Sequence, residues 1–313
     1  MRHGESRSSA STRTATSMLL LVILSSSARA QNEAHLAWQF EAGESFRVSL
    51  QTSVKIVAIQ AGQAFEIPQD RVLELSLTVS EVNSLGVASI GGRLTRIHFN
   101  TRTPFAGEID LDSAGVDEGE PEKIQQMQQA FGKAAGLRLS FQWKPTGQTE
   151  KLQWLDEFPE EVEQHALLAS MLQAEFLQSM LNSTVQLPPQ PIDTEDTWTY
   201  QDQRPTAAGP IIFTHTASRQ EAAGDNEKLV QISVKTDAEL EASNADDGVT
   251  YSVSNSQCQG MATFDTELKK VVSSRQQQRL VFSVEKEGAT GEQKLSQNVS
   301  FTLTPQTPTA AAK

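Results

Sequence analysis

Arg71-Val-Leu-Glu-Leu-Ser-Leu-Thr-Val79 decides the fold class. Leu73, Leu75, Leu77 and Val79 share one parity, and Glu74, Ser76 and Thr78 share the other. A strand places successive side chains on opposite faces, so this run reads as a half-buried strand. Working outward, Phe46, Val48, Leu50, Val54 and Ile56 alternate with Arg47, Ser49, Gln51 and Lys55. Gly86 to Phe99 gives a third such stretch, with a turn or bulge expected at Gly91-Gly92. Short alternating runs separated by turn residues describe an antiparallel meander and not βαβ units.

Beyond a polar loop from Thr103 to Glu122, Ile124, Met127 and Phe131 recur at helical spacing and predict a short helix over 121–131. Leu137, Leu139, Phe141 and Trp143 alternate again, Pro145-Thr-Gly147 turns, and Lys151 to Trp154 returns. The spacing then predicts one long amphipathic helix over 159–181. Glu160, Glu161 and Glu163 suit its positive N-terminal end, and Leu168, Met171, Leu172, Phe176 and Met180 form its apolar stripe. A helix must bury such a stripe, so its first reading is core. Its second is the wall of an apolar ligand site. Residues 188–195, opening with Pro188-Pro-Gln-Pro191, read as a stiff linker. Alternation resumes over 196–304 at Trp198 and Tyr200, at Val230, Ile232 and Val234, at Leu280, Phe282 and Val284, and at Val299, Phe301 and Leu303. Residues 305–313 are a low-complexity tail, expected to be disordered. The fold class expected is mainly β (a β-rich α+β chain): a curved antiparallel sheet covered by the long helix. It is arranged as one composite domain or as two related halves, 31–187 and 196–304. Trp38-Gln-Phe40 and Trp198-Thr-Tyr200 hint at the repeat.

Residues 1–30 read as an export signal. Arg2, Arg7 and Arg13 precede the apolar run Met18 to Leu24, and Ala28-Arg29-Ala30 supplies the small residues that signal peptidase reads. Seven apolar residues fall short of the roughly 20 that a spanning helix needs. No cysteine follows for lipid attachment. The expected mature chain therefore has no transmembrane segment and is periplasmic or secreted. It carries 22 basic and 38 acidic residues, a net charge of −16 against −13 for the whole chain. An acidic chain without a basic stripe repels phosphate backbones, which excludes nucleic acid as a partner. Cys258 is the only cysteine; it forms no internal bridge and reads as a buried, inert thiol.

Motifs that carry chemistry are few. Asp110-Leu-Asp112-Ser-Ala-Gly115 opens like a calcium loop, but Ala114 and Pro121 stand where ligands belong, so it reads as a solvated acidic loop. Glu161 and His165 are spaced for a helix-surface pair. His35, His98, His165 and His215 match no metal frame. No Gly-x-Ser-x-Gly, phosphate-cradling glycine loop or metalloprotease pattern occurs. No catalytic residue, metal or cofactor is assigned on these grounds. Only a hydrolase with a dispersed site stays open, because triads assemble from distant residues.

Trp38-x-Phe40-x-x-Gly43-x-x-Phe46, the strand-turn Phe141-Gln-Trp143…Gly147, the helix after it, and Asp196-Thr-Trp198 beyond a proline linker occur in that order. In this the chain resembles a family of uncharacterised exported bacterial proteins of planctomycete type, a domain of unknown function. Glu195 stands where that family tends to carry glycine. The resemblance implies an envelope setting and a β-rich fold and supplies no catalytic residue. Two functions follow as expectations. The first is a non-enzymatic exported protein that binds or scaffolds a partner protein. The second is a carrier of an apolar ligand or lipid in a cavity between sheet and helix, walled by Leu168, Met171, Leu172, Phe176 and Met180.

Overall fold

The computed structural model describes residues 35–60, 63–103, 107–115, 121–192, 196–204, 209–220, 228–240, 249–286 and 289–306. In chain order the elements are β1 (Ser45–Gln60), β2 (Gln63–Val82), β3 (Ala88–Thr103), β4 (Gly107–Asp112), α1 (Glu122–Ala134), β5 (Arg138–Trp143), β6 (Thr149–Trp154), α2 (Glu160–Glu163), α3 (Ala166–Met171), α4 (Ala174–Leu181), β7 (Thr197–Arg204), β8 (Ile211–Gln220), β9 (Leu229–Leu240), β10 (Val249–Asp265), β11 (Lys270–Lys286) and β12 (Ala289–Gln306). All strands belong to one antiparallel sheet ordered β6-β5-β3-β2-β1-β12-β11-β10-β9-β8-β7, with β4 paired to β3. The first and last strands meet at its centre, in register from Ser45–Gln306 to Val57–Lys294. Each flank is a meander, as the alternation and turn spacing require.

The sheet is strongly curled. Laid flat, its outer strands β6 and β7 would stand roughly 48 Å apart at the usual strand spacing. In the fold, Asn182 accepts hydrogen bonds from the N–H and hydroxyl of Thr149 on β6 (2.7 and 2.9 Å). Four residues on, the Gln186 carbonyl accepts from the Trp198 indole on β7 (2.7 Å). Four residues of backbone span at most about 14 Å, so the two edges face each other across a narrow seam that this segment fills. Long strands accumulate right-handed twist, and bulges add bend: Thr95 is the extra residue opposite Glu74–Leu75, its hydroxyl donating to the Glu74 carbonyl. Gly91-Gly92 makes no turn. β3 runs through both, and a side chain on Gly92 would meet Leu77 at 2.5 Å, so the glycine admits that leucine.

Inside the curl lies the main apolar cluster. Trp38, Phe40, Phe46, Trp143 and Phe301 stack at its heart; Trp38 and Trp143 are 4.6 Å apart, and Trp143 meets Phe301 edge-on at 6.5 Å. Leu168, Met171, Leu172, Leu177 and Leu181 close it from the helical side.

The long helix over 159–181 does not exist. It is three short helices, so no long amphipathic helix covers the sheet. His165 (φ −101°, ψ 95°) and Gln173 (φ −58°, ψ 133°) are extended and interrupt it. Sequence periodicity passes over both breaks because the apolar positions continue on either side. A tertiary contact overrides it: Trp154 on β6 donates its indole N–H to the Leu172 carbonyl (2.7 Å), giving a partner to a group left without one where the helix stops. Glu161, expected to face His165, instead pairs with Lys133 of α1.

Candidate functional site

The register aligns residues that lie far apart in sequence. Across the concave face, Thr101, Gln69, Val54, Gln297, Gln278, Cys258, Thr236, His215 and Tyr200 are successive cross-strand partners from β3 to β7. Six of these nine are amides, threonines or histidine, and Thr101, Gln278, Thr236 and His215 are buried. This row is a polar belt. On one side lies the main cluster; on the other, Ile211, Phe213, Ala238, Leu280 and Phe282 form, with Cys258 of the belt itself, a second, smaller apolar cluster.

A hollow of about 290 Å³ opens where α4 crosses the belt. Phe176 and Met180 of α4 face Phe213, Leu280, Leu295 and Val299 of the sheet, while Thr52, Gln278, Gln297 and Arg204 give it a polar side. Glu175, Ser179 and Arg204 also border a second, polar hollow in the seam between β6 and β7, so the cavity adjoins the sheet's open edge there. A larger hollow, about 670 Å³, lies elsewhere, where β9 and β10 part: their pairing stops at Thr236–Cys258 although both strands run on. Its walls include the exposed Lys235, Asp237, Gln257, Gln259 and Arg279, and it is a wet surface cleft.

Charged groups cluster on the β7–β8 side. Arg204 donates to Asp202 through Nε (3.2 Å) and Nη2 (2.9 Å) and lies over the Phe213 ring at 4.5 Å. Burial works against ionisation of Asp202, but His215 and Arg204 beside it outweigh burial and hold its pKa below the ordinary value. His215 shares a hydrogen bond between Nδ1 and the Thr236 hydroxyl (2.8 Å), with Nε2 at 3.4 Å from Asp202. Acid, imidazole and hydroxyl in a row resemble a proton relay. Yet His215 is 1% exposed and stacks on Tyr200 at 4.5 Å, an arrangement that braces the belt and leaves the imidazole out of a substrate's reach. Cys258 is buried, and burial pushes its thiol up, away from the thiolate.

Of the residues read from sequence as an apolar wall, Phe176 and Met180 border the hollow, while Leu168, Met171 and Leu172 are buried in the main cluster. The acidic loop is engaged internally over its described part: Asp112 pairs with Arg96 (2.5 Å) and Asp110 with His98 (2.6 Å), and residues 116–120 lie outside the described residues. Among the described residues no group of three or more His, Cys, Asp or Glu is placed to hold a metal ion, and no helix is long and apolar enough to cross a membrane. Sequence reading missed Thr52, Arg71, Arg204, Gln278 and Gln297. One signal was present: Thr52 falls between Leu50 and Val54, and Arg71 before Leu73, on the apolar parity of otherwise apolar strands.

No family model and no curated protein matches the chain. Among solved structures it is similar to lipovitellin, in a structure concerned with lipid–protein interactions, at 14% identity and a TM-score of 0.49. That likeness covers 88% of this chain and 26% of the other, so the chain spans about a quarter of the lipovitellin chain's length. It is also similar to a DUF1329 family protein from Desulfovibrio piger (8% identity, TM-score 0.20, covering 87% and 90% of the two chains). The outer membrane channel COG4313 from Pseudomonas putida F1 gives 8% identity and a TM-score of 0.22, covering 87% and 98%. Two of these structure neighbours are thus bacterial, one of them an outer membrane channel, and the planctomycete-type family finds no matching model. At these TM-scores the likenesses carry no argument about activity.

Proposed function

We propose that this protein holds the apolar part of a small ligand in the hollow beneath α4 and acts as a carrier in the compartment to which residues 1–30 direct it. One observation carries the reading: within a molecule whose main core is closed, α4 leaves about 290 Å³ unfilled between Phe176 and Met180 and the sheet residues Phe213, Leu280, Leu295 and Val299. Apolar walls around a hollow of this size face water when it has no occupant, so an apolar chain that displaces the water gains burial along the lining. Ligand pockets begin at about 300 Å³ and are mostly apolar with a few convergent polar groups, which is the composition here. The seam between β6 and β7 gives a route in, because the hollow shares walls with it. The partner-scaffold expectation is set aside: the feature that stands out is internal and concave.

Native mass spectrometry of the protein purified from its own envelope, before and after organic extraction, tests this. The expected result is a bound mass of lipid size that extraction removes, and that the Phe176→Asp variant fails to acquire. A ligand-free mass in every preparation, with no uptake of added fatty acid or fatty alcohol, overturns it.

A further inference from the structure

Arg71 is a feature of the concave face that the fold alone leaves unexplained. It stands on β2 at the inward parity of Leu73, Leu75 and Leu77, each at most 1% exposed. Its cross-strand neighbours are Thr52 on β1 and Phe99 on β3. The guanidinium lies between two rings, 5.9 Å from the centroid of Phe99 and 5.6 Å from that of Phe176. Its single hydrogen bond among the described residues goes from Nη2 to the neutral Gln69 amide oxygen (2.9 Å), and its Nε is buried without a partner. Among the described residues no carboxylate pairs with it, whereas Arg204, Arg96 and Arg138 each meet an aspartate. Glu175, the acid on the hollow's wall, is exposed and does not pair with it. Arg71 is half-buried, and even partial withdrawal of a cation from water without a counter-charge is costly, so proteins normally pair such a group.

Beside it, the Thr52 hydroxyl is also buried without a partner. Thr52 lines the hollow, as does Phe176, whose ring Arg71 touches. Two adjacent donors are thus unsatisfied at the main-core side of the polar belt, and the apolar space of the hollow continues past the belt toward Leu280, Leu295 and Phe213. Thr52 lines one end of the apolar slot, and Arg71, which does not line it itself, stands next to Thr52 and behind the Phe176 ring. A guanidinium without a counter-charge and a hydroxyl so placed match a group with negative charge and acceptor oxygens on the end of a hydrocarbon chain.

Resting on the carrier reading, we infer that Arg71 and Thr52 form the head-group site for an anionic amphiphile, a carboxylate or phosphate head whose chain occupies the hollow beneath α4. The head accepts hydrogen bonds from Arg71 Nε and the Thr52 hydroxyl and supplies the missing counter-charge. The chain's net negative charge works against anions at long range, so the discrimination must arise at this contact.

The test is a titration of the wild-type protein with four probes: dodecanoate, dodecyl phosphate, dodecanol and dodecyltrimethylammonium, with inorganic phosphate as a chain-free control. The expected result is that both anions bind at least tenfold more tightly than dodecanol, the cation more weakly still, and inorganic phosphate immeasurably. Arg71→Gln removes the preference, bringing both anions to within about threefold of dodecanol measured on the same variant; Arg71→Lys keeps part of it. Equal binding of dodecanoate and dodecanol overturns the inference while the carrier reading stands. Binding of inorganic phosphate as tightly as dodecyl phosphate also overturns it, leaving a plain anion site. If none of the chain probes binds, both readings fall. The wild-type series decides these outcomes even where a variant folds poorly.

Discussion

At Gly147 the backbone takes φ +88°, and an added Cβ would lie 2.6 Å from the Trp38 indole nitrogen. Two costs coincide, the left-handed conformation and the clash. Gly147→Ala should therefore destabilise the protein by at least about 1–2 kcal/mol, read from urea denaturation. Asp202 gives a pH prediction. Its pKa is held down in the fold, so near neutral pH both native and unfolded chains carry the charge and its contribution to stability is fully present. As pH falls through the ordinary carboxylate value of 3.8, the unfolded chain takes up the proton first and that contribution declines. Asp202→Asn should flatten the acid limb of a stability–pH curve relative to wild type; an unchanged limb would place the acid sensitivity on other carboxylates, such as Asp112. Both residues were visible in sequence as residue types. What they do was not, since Gly147 matters through Trp38 and Asp202 through His215 and Arg204.

The helical segment shows what periodicity can and cannot see. Apolar spacing located the helical residues after Pro159, and the acids of the first turn fell as expected, because these are local signals. Continuity was not local: the break after Met171 depends on Trp154, which comes from another element. Trp154→Phe keeps an aromatic ring, though a smaller one, and removes the donor, leaving the Leu172 carbonyl without its partner. A loss of about 1–3 kcal/mol is expected in denaturant melts. The same segment separates wall from core. Leu172→Ala, at a residue buried in the main cluster, should cost about 2–5 kcal/mol. Phe176→Ala should cost less stability and change ligand uptake, since its ring borders the hollow and Arg71. Equal stability losses with no change in uptake would make α4 plain core.

For the whole molecule, the pairing of β1 with β12 makes the two flanks one structure. Each flank needs the other's central strand, so unfolding should be a single transition in which far-UV circular dichroism and tryptophan fluorescence coincide; two separated transitions would mean that the flanks stand alone. Pairing the first strand with the last also demands closure of a very long loop, so refolding should be slow, in milliseconds to seconds. Strand-by-strand alternation, the polar turns and the acidic charge are properties of short windows, and the sequence by itself determined them: a β-rich antiparallel chain with an export signal as its expected leader. Gln69, Thr101, Thr236, Gln278 and Gln297 each look like a polar lapse on the inward parity of one strand. Only the register, set by which strand pairs with which, lines those lapses up into one belt beside a hollow. Cross-strand position relates residues as far apart in sequence as Val54 and Gln297, and no local pattern encodes it.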